Sequence, residues 1–386
     1  MQRYLSFLIR SAGLSFASYL QASVYSIYER LVSGDAGRRN GRDAGGLRVL
    51  IVQLGQIGDF VLTVPLLAAL KEAYGGGVSL VVLTDRINEP LASGNPDIDG
   101  LIFYNSPKYT RKGASKGLPA ALAEGEGFDR VLWLRGDTKV FYWMASRRIP
   151  MSSVTGYPNP LRWSWLPLIT GSPVTRSFPH FVECLDRLDR KARPSLVAKR
   201  PKGGTRVASS PVVYMHIGSG SELRRWPREN FTGVCARLLE WDPALTINLL
   251  GGPDDRERGE LVRNGLYVQG LRGRVANQCG SLSLAKLAGA LAHGDLYIGF
   301  DSGPMHIAAS SGIPIVALMG PQSPQLFRPW SDQEVRVIYK HYYCSPCWQF
   351  SCLYTESGPG ACVLAINPQE VFDEARELLE HRRVCE

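Results

Sequence analysis

The residues with the clearest chemical use lie between Gly299 and Gly312, in the stretch GFDSGPMHIAASSG. An aspartate, a serine, a proline and a histidine fall there at the start of what the spacing predicts to be a helix. Ser302 or Gly303 would cap it, Pro304 would sit in its first turn, where no donor is wasted, and Gly312 would let the chain leave. A helix that starts this way presents unpaired backbone N–H groups and the positive end of its dipole, an arrangement that receives anions, most often a diphosphate. The backbone from Gly303 through Pro304 and Met305 to His306, with the side chains of Ser302 and His306, is the candidate anion site. A plain connecting loop has the same look.

The flanking runs, DLYIGF at 295–300 and IPIVALMG at 313–320, are short, apolar and rich in β-branched residues, so they read as parallel strands around the helix. Ligands of open α/β sheets bind at the carboxyl ends of such strands. Four other polar turns follow strand-like runs. GQIGDFVLTVP at 55–65 carries Asp59 after the run 47–54 and before a helix expected over 61–74. Asp59 is either the cap of that helix or a general base. Arg135 and Lys139 follow the run 128–134 and would meet a charged acceptor, or form a solvated loop. GSGSELRR at 218–225 follows a strand at 212–216, and Ser219 with Arg224 or Arg225 would grip a phosphate in forked geometry. Asp255, after the run 244–252, would accept hydrogen bonds from a ribose diol. For each of the last two, the alternative is a surface turn.

Motifs that would direct the reading elsewhere are missing. The first strand–helix unit has neither the three-glycine dinucleotide fingerprint nor a phosphate-loop GK[ST], so no nicotinamide or phosphate-loop nucleotide is indicated and no cofactor is expected. Asp97 and Asp99, in NPDIDG, read as a turn and not as a metal-binding pair. Asn230 opens an N-F-T sequon that would matter only in a secreted chain.

The chain has 386 residues, 45% hydrophobic and 20% charged, with 44 Lys and Arg against 35 Asp and Glu. Those are globular values for two or three domains, and the net charge of +9 favours an anionic partner. The basic residues are scattered and no nucleic-acid signature accompanies them, so nucleic acid is not the expected partner. Residues 1–46 read as a helical appendage ending in a Gly- and Arg-rich linker, too polar for a membrane span and without signal-peptide architecture. The helix would pack on the protein or lie on a membrane surface. Beyond it the expected layout is one domain over 47–200, a basic Gly- and Pro-rich boundary, a second over 210–365, and a C-terminal helix over 366–386 with Val371, Phe372, Ala375, Leu378 and Leu379 on one apolar face. Of eight cysteines, Cys344, Cys347, Cys352 and Cys362 crowd together, dense enough for a structural zinc or two disulfides, with reduced thiols as the third option.

Taken in order and spacing, GQIGDFVLTVP, HIGSGSELRRWPRENF, LLGGPDDRE, GSLSL and GFDSGPMHIAASSGIPIVALMGP make the chain, over about 47–375, resemble glycosyltransferase family nine, the ADP-heptose heptosyltransferases. The resemblance implies an α/β fold of the GT-B type, two Rossmann-like doubly wound halves facing a cleft, the first holding the acceptor and the second the nucleotide sugar. It implies an inverting, metal-independent transfer of a heptose or related sugar to a lipopolysaccharide-core-like or other glycan acceptor. Asp59 would be the general base. Ser302, Gly303 and His306 would hold the donor diphosphate, helped by Ser219 and Arg224, and Asp255 would lie near the ribose. The family commonly has lysine where Arg224 stands, and a guanidinium is not equivalent to a point charge on phosphate. The partners implied are an ADP-heptose-like donor and an anionic glycolipid or polysaccharide, met in the cytoplasm or at the cytoplasmic face of the inner membrane with peripheral membrane contact. A nucleotide-sugar epimerase or phosphorylase, or a non-catalytic nucleotide-sugar-binding protein, is the alternative on the same scaffold.

Overall fold

The computed structural model describes residues 46–107, 117–123, 127–153, 210–342, 345–346, 352 and 360–384. The N-terminal appendage, the basic boundary at 191–209 and two of the clustered cysteines, Cys344 and Cys347, lie outside the described residues. The chain divides into two compact units.

The first unit is built on a five-stranded sheet in the order β3-β2-β1-β4-β5, with β1 Leu47–Gln53, β2 Val78–Thr84, β3 Gly100–Phe103, β4 Arg130–Arg135 and β5 Met151–Ser153. Every pairing is parallel. Each central strand is an unbroken apolar run because both its faces are covered: Leu50, Ile51 and Val52 have no exposure. The helix expected over 61–74 is two helices, α1 Ile57–Val61 and α2 Val64–Tyr74. Helical spacing from Leu62 onward gave no hint that the chain already turns helical at Ile57, inside the polar motif. The break at Leu62 and Thr63 serves buried polar bonding: Thr63 Oγ1 donates to the Asp59 carbonyl at 2.8 Å and accepts from Gln53 Nε2 at 2.8 Å. Asp97 and Asp99 are structural, as expected. Asp97 N–H donates to Asn95 Oδ1 in a turn, and Asp99 pairs with Lys71 and accepts from Leu80 N–H.

The second unit has a six-stranded parallel sheet in the order β11-β10-β9-β6-β7-β8. Its strands are β6 Val212–His216, β7 Thr246–Leu250, β8 Val275–Asn277, β9 Leu296–Phe300, β10 Ile315–Met319 and β11 Val335–Tyr339. Four helices matter below: α3 Thr138–Ser146 in the first unit, and α4 Arg228–Trp241, α5 Gly303–Ser311 and α6 Pro368–Val384 in the second. The helix α5 ends on Gly312, whose φ of 71° lies in the left-handed region open to glycine. The five apolar residues anticipated for the C-terminal helix are all buried, and they pack within the core of the second unit, so α6 is part of that unit. Trp226 anchors the entry to α4. Its ring meets Phe231 edge-on at 5.0 Å and its indole N–H donates to the Ile366 carbonyl at 3.2 Å.

In both sheets the strand order reverses once, between β1 and β4 and between β6 and β9. Right-handed crossovers then put the helices after the two central strands on opposite faces, so their loops part at the carboxyl edge. The turn after β1 depends on Gln53, which is fully buried: its Oε1 accepts from Gly55 N–H and its Nε2 serves Thr63. Replacing Gln53 by Leu orphans the Gly55 amide and is expected to lower stability by about 2 kcal/mol. Equilibrium urea unfolding should show this as a lower midpoint at an unchanged slope; an unshifted midpoint would mean the network contributes nothing.

Candidate functional site

Each reversal point collects the polar residues that the sequence marked. In the first unit Asp59 is the third residue of α1, and its Oδ2 accepts from Gln56 N–H at 3.1 Å in a capping box. Oδ1 lies 3.3 Å from Arg135 Nη2, at the end of the neighbouring strand β4. Asp59 therefore caps the helix with one oxygen and turns the other toward Arg135 at the reversal point. The turn is tight enough that a methyl group at Gly55 would lie 2.6 Å from Asp59 Oδ2, which requires glycine there. Arg135 stands with Asp59, an ion pair the sequence alone did not suggest. Lys139 is exposed in the first turn of α3, whose cap is Asp137, with Oδ1 accepting from Val140 N–H at 3.0 Å.

The second unit holds the denser constellation. Arg224 reaches from the loop after β6 to the loop after β9, where Nη1 donates to the Asp301 carbonyl at 2.6 Å and lies 3.4 Å from its carboxylate. The other Asp301 oxygen is 3.6 Å from His306 Nε2. Asp301 is buried beneath these two groups. His306 is buried one turn into α5, and its Nδ1 has no hydrogen-bond partner among the described residues. The guanidinium of Arg224 keeps about a fifth of its side-chain surface exposed. A positive group, a helix N-terminus and an unsatisfied ring nitrogen thus share one place.

Ser302 occupies the N-cap position of α5 but makes no side-chain cap bond. Its Oγ donates to the Phe300 carbonyl at 2.9 Å and lies 3.4 Å from His216 Nδ1. Pro304 has no N–H to offer, and the Met305 and His306 amides meet the Ser302 carbonyl at 3.1 and 3.4 Å, which leaves the Gly303 amide without a partner among the described residues. Ser219 closes a local turn, donating to the Ser221 carbonyl and accepting from its N–H. Arg225 is half-buried beside Arg224. Asp255 follows β7 and is buried; its Oδ2 accepts from Gly252 N–H at 2.8 Å, and it packs so closely on Gly218 that a side chain there would strike the carboxylate. This ties Asp255 to the shape of the loop, a task that the ribose reading did not anticipate.

Two participants were missed at the sequence level. Asp301 was visible inside its motif, yet nothing in the sequence showed that it joins Arg224 to His306. His216 was visible only as the polar last residue of an apolar strand. Burial, with the charge of Arg224 beside it, pushes the His216 pKa down to about 4, so the ring is neutral near pH 7. No disulfide joins Cys352 to Cys362, and no cluster suited to a metal ion occurs among the described residues. Burial pushes Cys235 and Cys279 up to about 12, which makes both inert packing groups. No helix among the described residues is long and apolar enough to cross a membrane.

Comparison with known proteins agrees with the motifs. Residues 169–357 match the model of glycosyltransferase family 9 (heptosyltransferase). Among curated proteins, lipooligosaccharide heptosyltransferase 2 of Campylobacter jejuni is 27% identical over 164 residues, 42% of this chain and 49% of that protein. Lipopolysaccharide heptosyltransferase 3 of Escherichia coli is 24% identical over 296 residues, 72% of this chain and 85% of that one. The chain thus spans about half the length of the curated relative it matches first. Among solved structures, the E. coli ADP-heptose lipopolysaccharide heptosyltransferase II superposes with a TM-score of 0.61 at 21% identity, over 87% of this chain and all of that one. The resemblance to glycosyltransferase family 9 and the GT-B class of the fold are borne out.

The His216 pKa carries a stability consequence of fixed sign. Folded His216 resists protonation until about pH 4, while in the unfolded chain it titrates near 6.5, so between these values the unfolded state binds more protons. Stability contributed by the neutral ring is complete above about pH 6.5 and declines as pH falls toward 4. Thermal melts should show this fall, and His216→Asn should remove about one proton's worth of it; identical pH slopes for both proteins would contradict the burial of a neutral imidazole.

Proposed function

We propose that this protein is an inverting, metal-independent glycosyltransferase that moves a heptose or related sugar from a nucleoside diphosphate to a lipopolysaccharide-core-like glycan. One observation carries the reading. At the strand reversal of the second sheet, the open N-terminus of α5, the partly exposed guanidinium of Arg224 and the buried ring of His306 converge where a diphosphate would bind. The named relatives are heptosyltransferases, which supports a sugar donor for that diphosphate and an acceptor of the lipopolysaccharide class. The epimerase and binding-only alternatives have no observation of their own.

In this reading Ser302, Gly303, Met305 and His306 receive the diphosphate, Pro304 sets the first turn, and Arg224, with Arg225 and Ser219 at the same loop, adds positive charge and donors. The acceptor hydroxyl attacks the anomeric carbon from the face opposite the leaving group. A carbon–oxygen bond forms there as the bond to the phosphate oxygen breaks, the nucleoside diphosphate leaves with the electron pair, and the hydroxyl proton passes to Asp59. Negative charge gathers on the departing diphosphate, and fixed positive groups stabilise it without having to reorganise. Arg135 holds the Asp59 carboxylate in one orientation and, with Lys139, favours an anionic acceptor. Asp255 supports the loop that borders the ribose. The positive net charge and the family suggest work at an anionic membrane surface on the cytoplasmic side, with residues 1–46 as the contact.

Asp59→Asn keeps the capping oxygen and removes the base. Turnover is expected to fall by about two orders of magnitude while donor affinity stays within about twofold. The measurement is acceptor-dependent release of nucleoside diphosphate, with donor binding followed separately by calorimetry. Near-normal turnover would remove Asp59 from its role, and release that needs no acceptor would point away from transfer.

A further inference from the structure

The turn that carries Asp59 depends on the aim of one peptide group. Gln56 N–H donates to Asp59 Oδ2, and the carbonyl of that same peptide belongs to Gly55. In a planar trans peptide the N–H and the C=O point in opposite directions, so whatever fixes the carbonyl also aims the N–H. Gly55 has to be glycine, because a methyl group there would lie 2.6 Å from Asp59 Oδ2, and glycine is the residue least able to stop the peptide after it from rotating. The constraint comes from 33 positions along the chain, where Asn88 Nδ2 donates to the Gly55 carbonyl at 3.0 Å. The same Nδ2 donates to Thr84 Oγ1 at 3.0 Å. A carbonyl can only accept, so the side of the Asn88 amide that faces Gly55 is its N–H side. Asn88 follows β2, has no exposure, and makes no cap bond to the short helix Glu89–Ala92 that begins after it. Its Oδ1 has no partner among the described residues, so the amide engages the protein through Nδ2 alone.

We propose that Asn88 is a positioning residue for Asp59: by holding the Gly55 carbonyl it aims the Gln56 N–H at Oδ2 and so keeps Oδ1 at the reversal point, where the acceptor hydroxyl would give up its proton. The inference rests on Asp59 being the base, as proposed above, and adds the group that fixes its direction. Asn88 itself touches no reacting atom. With its amide gone, the Gly55–Gln56 peptide can turn, the Gln56 N–H leaves Oδ2, and the carboxylate is held by Arg135 alone. A base that samples several orientations meets the hydroxyl in the right one less often, which slows the chemical step and leaves donor binding in the second unit unchanged.

The test uses the full chain, with ADP-heptose as donor and deacylated lipopolysaccharide core as acceptor. Asn88→Leu should lower kcat about tenfold, the effect of one hydrogen bond, and keep the donor KM within about twofold. Thr84→Val removes the other acceptor of Nδ2 and leaves the Gly55 bond; it should lower the melting temperature, as Asn88→Leu does, yet keep kcat within about twofold. In an Asp59→Asn background, Asn88→Leu should change the residual turnover by less than about twofold, because no base is left to orient. A readout free of turnover comes from selective 15N labelling of glutamine. In the parent the Gln56 amide shift should follow the protonation of Asp59 as pH is lowered, and in Asn88→Leu that response should be lost. Should Asn88→Leu fail to fold, Asn88→Ser, too short to reach the Gly55 carbonyl, takes its place with the same expectations. Normal kcat in Asn88→Leu, equal kcat losses in Asn88→Leu and Thr84→Val, losses that multiply in the Asp59→Asn background, or a Gln56 shift that still tracks Asp59 would overturn the positioning role. Near-normal turnover in Asp59→Asn removes the base reading and this inference with it. If the parent turns over no ADP-heptose, the donor reading fails, and the glutamine measurement decides by itself whether Asn88 holds Asp59.

Discussion

The single reversal of strand order in each parallel sheet is the constraint from which the rest follows. Parallel strands joined by right-handed crossovers build outward in one direction from the first strand; when the chain returns to build on the other side, two neighbouring loops leave the carboxyl edge toward opposite faces. Between β1 and β4 that parting receives Asp59 and Arg135, and between β6 and β9 it receives Arg224, Asp301, Ser302 and His306. Residues far apart in sequence, 76 positions for Asp59 and Arg135 and 77 for Arg224 and Asp301, meet because the sheet makes their strands adjacent. Glycines at the strand ends sharpen the convergence. Gly55, Gly218 and Gly299 stand where a side chain would strike Asp59, Asp255 and His216.

The two places use charge differently. Asp59 is half-buried in the first unit, with one oxygen spent on the helix cap and the other turned to a partly exposed guanidinium, so it is held in one orientation. Asp301 is buried and spends its carboxylate on the protein, joining Arg224 to His306. A buried carboxylate is tolerated only when paired and hydrogen-bonded. The pairing also fixes its partners, and that fixed arrangement is what an electrostatic site requires: groups already pointing where charge will appear reorganise little when it does. The neutral state of His216 belongs to the same logic, since a second cation next to Arg224 would be repelled and desolvated at once.

Much of this was legible in the residues. Unbroken apolar runs gave the parallel strands, because a strand covered on both faces has no use for alternation. Ser302, Pro304 and Gly312 gave the position of α5, because helix ends make local demands that particular side chains meet. The amphipathic spacing of Val371, Phe372, Ala375, Leu378 and Leu379 gave the C-terminal helix and its buried face. The break of the first long helix at Leu62 and Thr63 was not legible, because it answers to a hydrogen bond from Gln53, ten residues earlier and on another element.

What the sequence by itself determined is therefore local and periodic: which runs are strands, where helices begin and end, and which polar turns stand at strand ends. Only the tertiary structure decided the pairings, Asp59 with Arg135, Arg224 with Asp301, and His216 with Ser302, and so decided which polar residue orients another and which stays open to a ligand. The physical reason is one of range. Helix caps and hydrophobic periods act over a few residues and are written in their spacing, whereas a hydrogen bond across a sheet depends on register, and register is settled only when whole strands are packed.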